Sequence, residues 1–275
     1  MCVIFVVHLM AENSKIEWTD SSFNIVWGCW KISEGCKNCY ADSWDSRFGD
    51  SHWGKDTPRK LMSEKYWYEP LKWDHKAGLA GRRHRIFCSS MTDVFLDDPI
   101  IDRERAKLWD LIQNTPNCDW LLLTKRPENI AANLPGSWND GWSNVWMGVS
   151  CENQEWADKR IPVLADIPAL IRFVSYEPAL GPIDFRQHFE NPCGPDWVIV
   201  GGESGPNARP FYLDWAISTV QQCRDHGVNV FVKQMGSNPM NLNGYGSYKM
   251  KFSDSKGGNI KEFPETIQVR DFPGD

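Results

Sequence analysis

The chain has 275 residues, of which 41 % are apolar and 24 % charged, as in a globular protein with a sizeable core and unlike a disordered or fibrous chain. The formal net charge of −6 excludes wholesale attraction of nucleic acid, so such a contact would need local basic side chains. The candidates are Arg82, Arg83, Arg85, Lys125 and Arg126. The 15 tryptophans either pack the core or line a pocket that stacks on flat rings.

Residues 1–9 form an apolar run that is too short to span a membrane. No basic residue precedes it and no small-residue cleavage site follows it, so a signal peptide is not indicated. We expect an N-terminal extension or an upstream start, with translation beginning at Met1 or Met10. The protein is expected to be cytoplasmic, without a membrane partner, and its cysteines should be thiols or metal ligands rather than disulfides.

Seven short apolar runs predict strands buried on both faces of a parallel sheet, because the runs are continuous rather than alternating. After the first, they begin roughly 30 residues apart, which is the length of one βαβ unit. The runs are Asn24–Trp27, Arg85–Cys88, Asp119–Leu123, Asn144–Val149, Ile171–Val174, Asp196–Val200 and Asn229–Val232. Helical patterns lie between them, one capped by Asp102 and another running through Leu213, Ile217 and Val220.

This alternation predicts an α/β fold, a parallel (β/α) barrel that is incomplete, with six to seven strands, because a full barrel takes about 250 residues. The barrel would occupy residues 10–236, with an insertion at about 41–84 where the first interval between runs is doubled. Residues 237–275 are predicted to form a flexible segment and a C-terminal extension. A doubly wound open sheet is the alternative, although no Gly-x-Gly-x-x-Gly follows the first run.

Three cysteines, Cys29, Cys36 and Cys39, follow the first predicted strand with C-x6-C-x2-C spacing. Three thiolates suit an iron–sulfur cluster with one open iron, whereas a closed iron–sulfur or zinc site normally takes four ligands. The position favours a catalytic cluster, because barrel enzymes keep their reactive groups at the carboxyl ends of strands. Zinc is the alternative, with a fourth ligand from His52, Cys88 or Cys151.

The other predicted strands also end in polar or ionisable side chains, and this convergence indicates a functional site rather than solvated loops. Each residue alone has a plainer interpretation: Asp98 before Pro99 could only cap a helix, and Glu177 before Pro178 could only make a turn. The candidates are Ser89, Ser90, Asp93, Lys125, Arg126, Ser150, Cys151, Glu152, Asn153, Tyr176, Glu177, Glu203 and Ser204.

Five segments together resemble the phage- and prophage-associated three-Cys-motif family, whose members are relatives of radical S-adenosylmethionine (SAM) enzymes. The segments are Lys15–Asp20, Gly28–Ala41, Ser89–Asp93, Leu123–Pro127 and Gly201–Gly205. The resemblance extends from about Met10 to the C terminus, and this combination of motifs is specific to the family.

The resemblance implies a 4Fe–4S cluster held by Cys29, Cys36 and Cys39, with SAM chelating the open iron. Reduction by a flavodoxin- or ferredoxin-type partner would then cleave the sulfonium and give a 5′-deoxyadenosyl radical. Most radical SAM enzymes instead have C-x3-C-x2-C spacing and an aromatic residue before the last cysteine, where this chain has Asn38. Their Gly-Gly-Glu usually follows the second strand, whereas Gly201–Glu203 follows the sixth here, so its role does not transfer.

Placement at the strand ends suggests roles for the individual candidates. Ser89, Ser90 and Asp93 would contact the methionine moiety of SAM, and Ser150, Glu152 and Asn153 its ribose. Tyr40 would take the place of the missing aromatic against the adenine, and Lys125 or Arg126 would pair with a carboxylate or a substrate phosphate. Glu203 and Ser204 are further cofactor candidates, and Cys151, Tyr176 and Glu177 are the catalytic candidates.

The family's phage setting favours a nucleobase, a nucleotide or phage DNA as the substrate. Tryptophans beside cations add a hint, because such mixtures hold single bases out of a helix, although the same tryptophans could simply pack over the barrel. They are Trp30, Trp44, Trp53, Trp67 and Trp73, beside Lys55, Arg59, Lys60 and Arg82–Arg85. An amino-acid or peptide substrate stays open. The alternatives to a radical enzyme are a zinc- or cluster-stabilised nucleic-acid-binding module without catalysis and, less favoured, a zinc hydrolase.

Overall fold

A computed structural model of the protein describes residues 14–49, 51–243 and 246–274. The predicted extension at residues 1–9, and Met10, lie outside the described residues. The strands are β1 (Ser21–Phe23), β2 (Val26–Trp27), β3 (Lys60–Leu61), β4 (His84–Cys88), β5 (Cys118–Thr124), β6 (Val145–Ser150), β7 (Ile171–Tyr176), β8 (Trp197–Gly201), β9 (Phe211–Tyr212), β10 (Asn229–Gln234), β11 (Pro239–Asn243) and β12 (Gly246–Lys249).

The α-helices are α1 (Tyr40–Asp45), α2 (Glu64–Trp67), α3 (Glu69–Ala80), α4 (Pro99–Gln113), α5 (Ile130–Asn133), α6 (Gln154–Ala165), α7 (Arg186–Phe189) and α8 (Leu213–His226). Short 3₁₀ helices lie at Glu34–Cys36, Ser46–Phe48, Pro127–Asn129, Ile260–Glu262 and Glu265–Ile267. In the part of the chain that the structure describes, no helix has both the length and the apolar character needed to cross a membrane.

Seven strands form the main sheet, in the order β1-β4-β5-β6-β7-β8-β10. Strand β4 pairs in parallel with β1 and β5, and β8 pairs in parallel with β7 and β10. Two smaller sheets have the orders β12-β11-β9 and β2-β3. Parallel strands that alternate with helices along the chain define an α/β fold, which confirms the predicted class of an incomplete (β/α) barrel.

The chain divides into two compact units, which are described separately. The first takes the described residues before Lys31 together with Trp44–Met147 and Pro168–Leu170. In its core, Phe23 of β1 stacks on Tyr66 with ring centroids 4.8 Å apart, and Trp67 meets Phe23 edge-on at 5.1 Å. Trp73 is 3 % exposed and stacks on His84. Trp67 and Trp73 of the predicted insertion therefore pack the core, as the plainer interpretation expects.

The second unit takes Lys31–Ser43, Gly148–Ile167 and the residues from Ile171 onward. Its core is centred on the fully buried Trp197 of β8, whose ring lies 5.8 Å from that of Phe173 and 6.2 Å from that of Phe231. The predicted C-terminal region, 237–275, contains β11 and β12, and its Phe263 and Ile267 are buried. These side chains contribute to the apolar core of the second unit.

The first predicted strand, Asn24–Trp27, is wrong as a strand of the main sheet. The sheet strand is β1, three residues earlier, whereas β2 pairs antiparallel with β3. Asn24 interrupts the run because its backbone N–H donates to Tyr66 Oη at 2.6 Å and its side-chain oxygen accepts from Met91 N at 2.7 Å. The six other predicted runs overlap β4, β5, β6, β7, β8 and β10.

The predicted helix start at Asp102 is also displaced, because α4 begins at Pro99 with Asp98 as its N-cap. The Asp98 carboxylate accepts from the backbone N–H of Ile100 at 2.9 Å. Proline is favoured at the first helical position because the backbone N–H that it lacks would have no hydrogen-bond partner within the helix. The capping interpretation of Asp98 is thus confirmed, and the predicted helix through Leu213 and Val220 is α8.

Candidate functional site

In the first unit, Asp93 ties together the loops that follow β4 and β5. Its carboxylate accepts hydrogen bonds from Thr124 Oγ1 at 2.7 Å, Lys125 N at 3.0 Å and Arg126 Nη1 at 3.0 Å. Asp93 is 6 % exposed and Arg126 is 4 % exposed, so the ion pair is buried and supported by additional hydrogen bonds. The structure therefore brings together three candidates that the sequence places after different strands.

Arg126 also contacts the chain at the first cysteine of the motif. Its Nη1 lies 3.9 Å from Cys29 Sγ, and its Nη2 donates to the carbonyl oxygen of Trp30 at 2.8 Å. The guanidinium carbons of Arg126 and Arg59 each lie 5.3 Å from the centroid of the Trp30 ring. Two cations therefore contact the aromatic residue that follows Cys29.

The backbone around Cys29 is fixed by close contacts within the first unit. Gly28 has φ +119° and its N–H donates to Met91 O at 3.0 Å, while its carbonyl accepts from Thr92 Oγ1 at 2.7 Å. A Cβ at this position would lie 2.4 Å from His52 O, so both the conformation and the close approach require glycine. Gly54 N–H donates to Cys29 O at 2.9 Å.

The predicted serines follow β4. Ser89 is buried, with its Oγ 3.2 Å from Cys88 Sγ, and Ser90 Oγ lies 3.3 Å from Asn24 Oδ1. These contacts hold both serines against the β1–β2 connection and β4. Their contact with the methionine moiety of SAM stays a prediction.

In the second unit, side chains that follow β6 hold the cysteine segment, which we define as residues Lys31–Ser43. Asn153 Nδ2 donates to Glu34 Oε1 at 2.6 Å, and Trp156 Nε1 donates to Glu34 Oε2 at 3.0 Å. Arg209 Nη1 donates to the carbonyl oxygen of Glu34 at 2.8 Å. The hydrogen bond from Trp156 is the largest influence that lowers the pKa of Glu34 below its ordinary value.

Glu152 is fully buried and makes a second attachment to the cysteine segment. Its Oε1 accepts from Ser33 Oγ at 2.7 Å, and its Oε2 accepts from Arg160 Nη1 at 2.8 Å. Arg160 also donates to Ser150 O at 2.7 Å. A Cβ on Gly35 would lie 2.2 Å from Glu152 Oε1, so the absent side chain of Gly35 allows the backbone to approach this carboxylate.

The third attachment is at the end of β8, where Glu203 accepts from Asn38 Nδ2 at 3.0 Å and from Arg209 Nε at 3.0 Å. Asn38 also donates to Asn207 O at 2.9 Å. Burial by itself would raise the pKa of Glu203, but hydrogen bonds from Arg209 and Asn38 hold it below the ordinary value. Asn38, at the position that the resemblance gives to an aromatic residue, thus attaches the cysteine segment to β8.

The predicted catalytic residues have partners inside the second unit. Tyr176 is buried and donates its hydroxyl to Gly181 O, and burial raises its pKa. Cys151 is buried with its Sγ 3.8 Å from Trp156 O. Glu177 is more open, and its Oε1 accepts from Lys233 Nζ at 2.6 Å. Their catalytic roles stay predictions.

The remaining cofactor candidates differ in exposure. Ser150 is buried, Ser204 is half-buried, and Tyr40, the first residue of α1, is 55 % exposed. Tyr40 therefore presents much of its ring at the surface of the second unit, where a planar ligand could stack on it. Its contact with adenine stays a prediction.

The three motif cysteines differ from the other thiols in exposure. Cys29, Cys36 and Cys39 are half-buried, whereas four cysteines outside the motif are fully buried, namely Cys88, Cys118, Cys151 and Cys223. Within residues 14–49, 51–243 and 246–274, no three His, Cys, Asp or Glu side chains are grouped so as to hold a metal ion. The donor types nevertheless fit an iron–sulfur cluster: three partly accessible thiols, one of them 3.9 Å from a guanidinium nitrogen.

The residues considered as a fourth zinc ligand differ in their surroundings. His52 Nδ1 lies 2.9 Å from Asp45 Oδ1. Burial raises the pKa of the Cys88 thiol to about 12, which disfavours the thiolate that zinc requires. Cys151 is fully buried. A carboxylate on Nδ1 is the usual second partner of a metal-binding histidine, so His52 stays a candidate for a fourth zinc ligand.

Sequence reasoning overlooked several residues that hold the cysteine segment, namely Glu34, Asn38, Trp156 and Arg209. Asn38 and Glu203 are 165 residues apart in sequence, and Arg209 and Glu34 are 175 apart. The available signal was the concentration of polar residues between the cysteines. The spacing of the cysteines does not indicate which strand end these polar residues contact.

Comparison with solved structures finds similarity in fold to spore photoproduct lyase. A complex of that enzyme with dinucleoside spore photoproduct is 13% identical, covers 96% of this chain and 76% of that chain, and gives a TM-score of 0.51. A mutant of the enzyme is 13% identical, covers 95% of this chain and 76% of that chain, and gives a TM-score of 0.50. At such low identity the likeness concerns the fold alone.

A further mutant of the lyase, with bound AdoMet and dinucleoside spore photoproduct, is 14% identical with a TM-score of 0.46. That alignment covers 68% of this chain, and the chain spans only 54% of the length of that protein. Among curated proteins, none matches this sequence.

Residues 13–264 match a family described as "Protein of unknown function (DUF5131)". The match includes the cysteine segment and all seven strands of the main sheet. The chain belongs to the DUF5131 family.

Proposed function

We propose that the protein is a radical SAM enzyme in which Cys29, Cys36 and Cys39 hold a 4Fe–4S cluster. With the cluster and SAM bound, one electron from a flavodoxin- or ferredoxin-type partner would supply a 5′-deoxyadenosyl radical. The observation that carries the proposal is the attachment of the cysteine segment to the carboxyl ends of β6 and β8 through Glu152 and Glu203. A solvated loop would not need buried carboxylates to hold it in one orientation.

The proposal gives these strand-end residues a defined task. Glu152 orients Ser33, and Asn153 orients Glu34, so that the backbone just before Cys36 has a fixed course within the second unit. Glu203 does the same for Asn38, which directly precedes Cys39. Ligands held in this way before cofactor binding lose less conformational freedom when the cofactor binds. We infer that these residues position the cysteines, and direct contact with SAM is a further proposal for the same groups.

We propose a substrate that contains a nucleobase, such as a nucleotide or phage DNA. The dinucleoside in a structure of spore photoproduct lyase supports this substrate class. On this chain, the exposed Lys60 places its Nζ 4.2 Å from the ring centroid of the half-buried Trp27, a pairing of cation and ring that suits a base and its phosphate. Other cations are engaged within the protein, as Arg83 is with Asp119 at 2.6 Å.

The cluster is tested by anaerobic reconstitution with iron and sulfide, followed by metal analysis. We expect about four irons per chain, and we expect the Cys36→Ala variant to lose them because two remaining thiolates hold a cluster poorly. Cys193→Ala is the matched control, since Cys193 is exposed and outside the motif; it should keep its iron. Stoichiometric zinc without iron would contradict the proposal and favour the zinc-stabilised nucleic-acid-binding module.

The substrate is tested by incubating the reduced, reconstituted protein with DNA, RNA and nucleotides, then searching the digests for altered nucleosides by mass spectrometry. Altered nucleosides should appear with the wild-type protein and not with Cys36→Ala. If no nucleoside changes, and 5′-deoxyadenosine formation increases only with amino acids or peptides, the nucleobase substrate is wrong.

A further inference from the structure

The guanidinium of Arg126 is buried and fixed on several sides. It donates to Asp93 Oδ2 at 3.0 Å and to Trp30 O at 2.8 Å, and its carbon lies 5.3 Å from the Trp30 ring centroid. Asp93 is itself held by Thr124 Oγ1 at 2.7 Å. Moving Arg126 away would leave a buried carboxylate unpaired, which is strongly unfavourable.

This fixed guanidinium reaches the first motif cysteine, with Nη1 3.9 Å from Cys29 Sγ. We propose that Arg126 is a positioning residue that raises the reduction potential of the cluster through this N–H···S contact. The proposal rests on the function proposed above. It gives Arg126 a task at the cysteine sulfur in place of pairing with a substrate phosphate.

The physical reason is the charge that reduction adds. With a cluster bound, one electron from the flavodoxin- or ferredoxin-type donor would make it one charge more negative, with no bond formed or broken. The added charge would extend onto the cysteine sulfurs, so a positively charged N–H donor would stabilise the reduced form more than the oxidised form. The Asp93 carboxylate offsets part of the positive charge, but burial preserves the N–H···S contact itself because little water competes for it.

Arg59 offers a matched comparison, because its guanidinium carbon lies at the same 5.3 Å from the Trp30 ring. Its Nε donates to Asp98 Oδ2 at 3.0 Å and its Nη1 donates to His52 O at 2.9 Å. Its Nη2 has no hydrogen-bond partner among the described residues. Arg59→Gln therefore removes a positive charge beside the same indole without removing the contact to Cys29.

The test is a redox titration followed by electron paramagnetic resonance, on reconstituted protein with measured iron content. The midpoint potential should shift to more negative values in Arg126→Gln. A smaller negative shift is expected in Arg126→Lys, which keeps the charge and loses the planar fork. Arg59→Gln should shift the potential less than Arg126→Gln. If Arg126→Gln does not fold because Asp93 is left unpaired, the test is the midpoint potential of Arg126→Lys compared with that of the wild type.

The proposal is wrong if Arg126→Gln and Arg126→Lys, each with a full complement of iron, have the same midpoint potential as the wild type. An equal shift in Arg59→Gln would also overturn it, because the cause would then be general positive charge rather than the contact to sulfur. Wild-type protein without iron would contradict the proposed function itself, and the iron analysis distinguishes that outcome from the others.

Discussion

At the residue scale, the approach between Gly35 and Glu152 fixes the middle of the cysteine segment. Gly35 directly precedes Cys36, and the Glu152 carboxylate occupies the space of its missing side chain. Glu152 cannot move away easily, because it is fully buried and paired with Arg160.

Gly35→Ala should therefore displace the segment or the carboxylate. We expect a loss of about 1–3 kcal/mol in the free energy of unfolding, as for overpacked sites generally, and a lower iron content after reconstitution. Denaturant unfolding and iron analysis measure the two effects.

Gly136→Ala is the control, because no atom beyond its chain neighbours lies within 4 Å of the Cβ it would add. If Gly35→Ala and Gly136→Ala have the same stability and the same iron content, the approach of Gly35 to Glu152 does not constrain the cysteine segment.

The sequence indicates a gathering of polar residues at the strand ends, but not which of them pair. Asp93, Lys125 and Arg126 follow two strands predicted to end at the same edge of the sheet, and the structure brings them together. The pairing of Asn38 with Glu203 could not be predicted, because a single hydrogen bond across 165 residues leaves no periodic pattern.

At the element scale, the cysteine segment is held partly by two carboxylates, Glu34 and Glu203. The pKa of each is lowered, by the hydrogen bond from Trp156 for Glu34 and, against the effect of burial, by Arg209 for Glu203. A carboxylate with a lowered pKa stabilises the folded state above its ordinary pKa, and this stabilisation is lost as the pH falls through the lowered value.

We therefore expect the melting temperature of the apoprotein to fall as the pH decreases below the ordinary glutamate value of 4.5. Glu34→Gln should reduce this decrease, because a group that no longer titrates contributes nothing to it. Circular dichroism melts between neutral pH and pH 3 measure the effect, with the exposed Glu155→Gln as a surface control. Parallel pH profiles for wild type and Glu34→Gln would contradict the account.

Among the elements, the strands buried on both faces were the most predictable. Continuous apolar runs identify β4, β5, β6, β7, β8 and β10, because a strand covered on both faces needs apolar side chains throughout. The run Asn24–Trp27 was wrongly predicted as a strand of the main sheet, because Val26 is buried but pairs in the small β2–β3 sheet. Burial alone does not tell which sheet a strand joins.

At the scale of the whole molecule, the fold supplies a parallel sheet and the motif supplies three thiols. The α/β class follows from the alternation of strands and helices, and the likeness to spore photoproduct lyase supports the fold. Chemistry does not follow from a fold. The proposed reaction depends on Cys29, Cys36 and Cys39 and on the side chains that hold the cysteine segment.

The central claim is tested most directly by measuring the reductive cleavage of SAM. Reconstituted protein, reduced anaerobically with dithionite and supplied with SAM, should release 5′-deoxyadenosine, detected by chromatography and mass spectrometry. Cys193→Ala should release it as well, and Cys36→Ala should not. Protein that carries about four irons yet neither binds SAM in calorimetry nor releases 5′-deoxyadenosine would contradict the account.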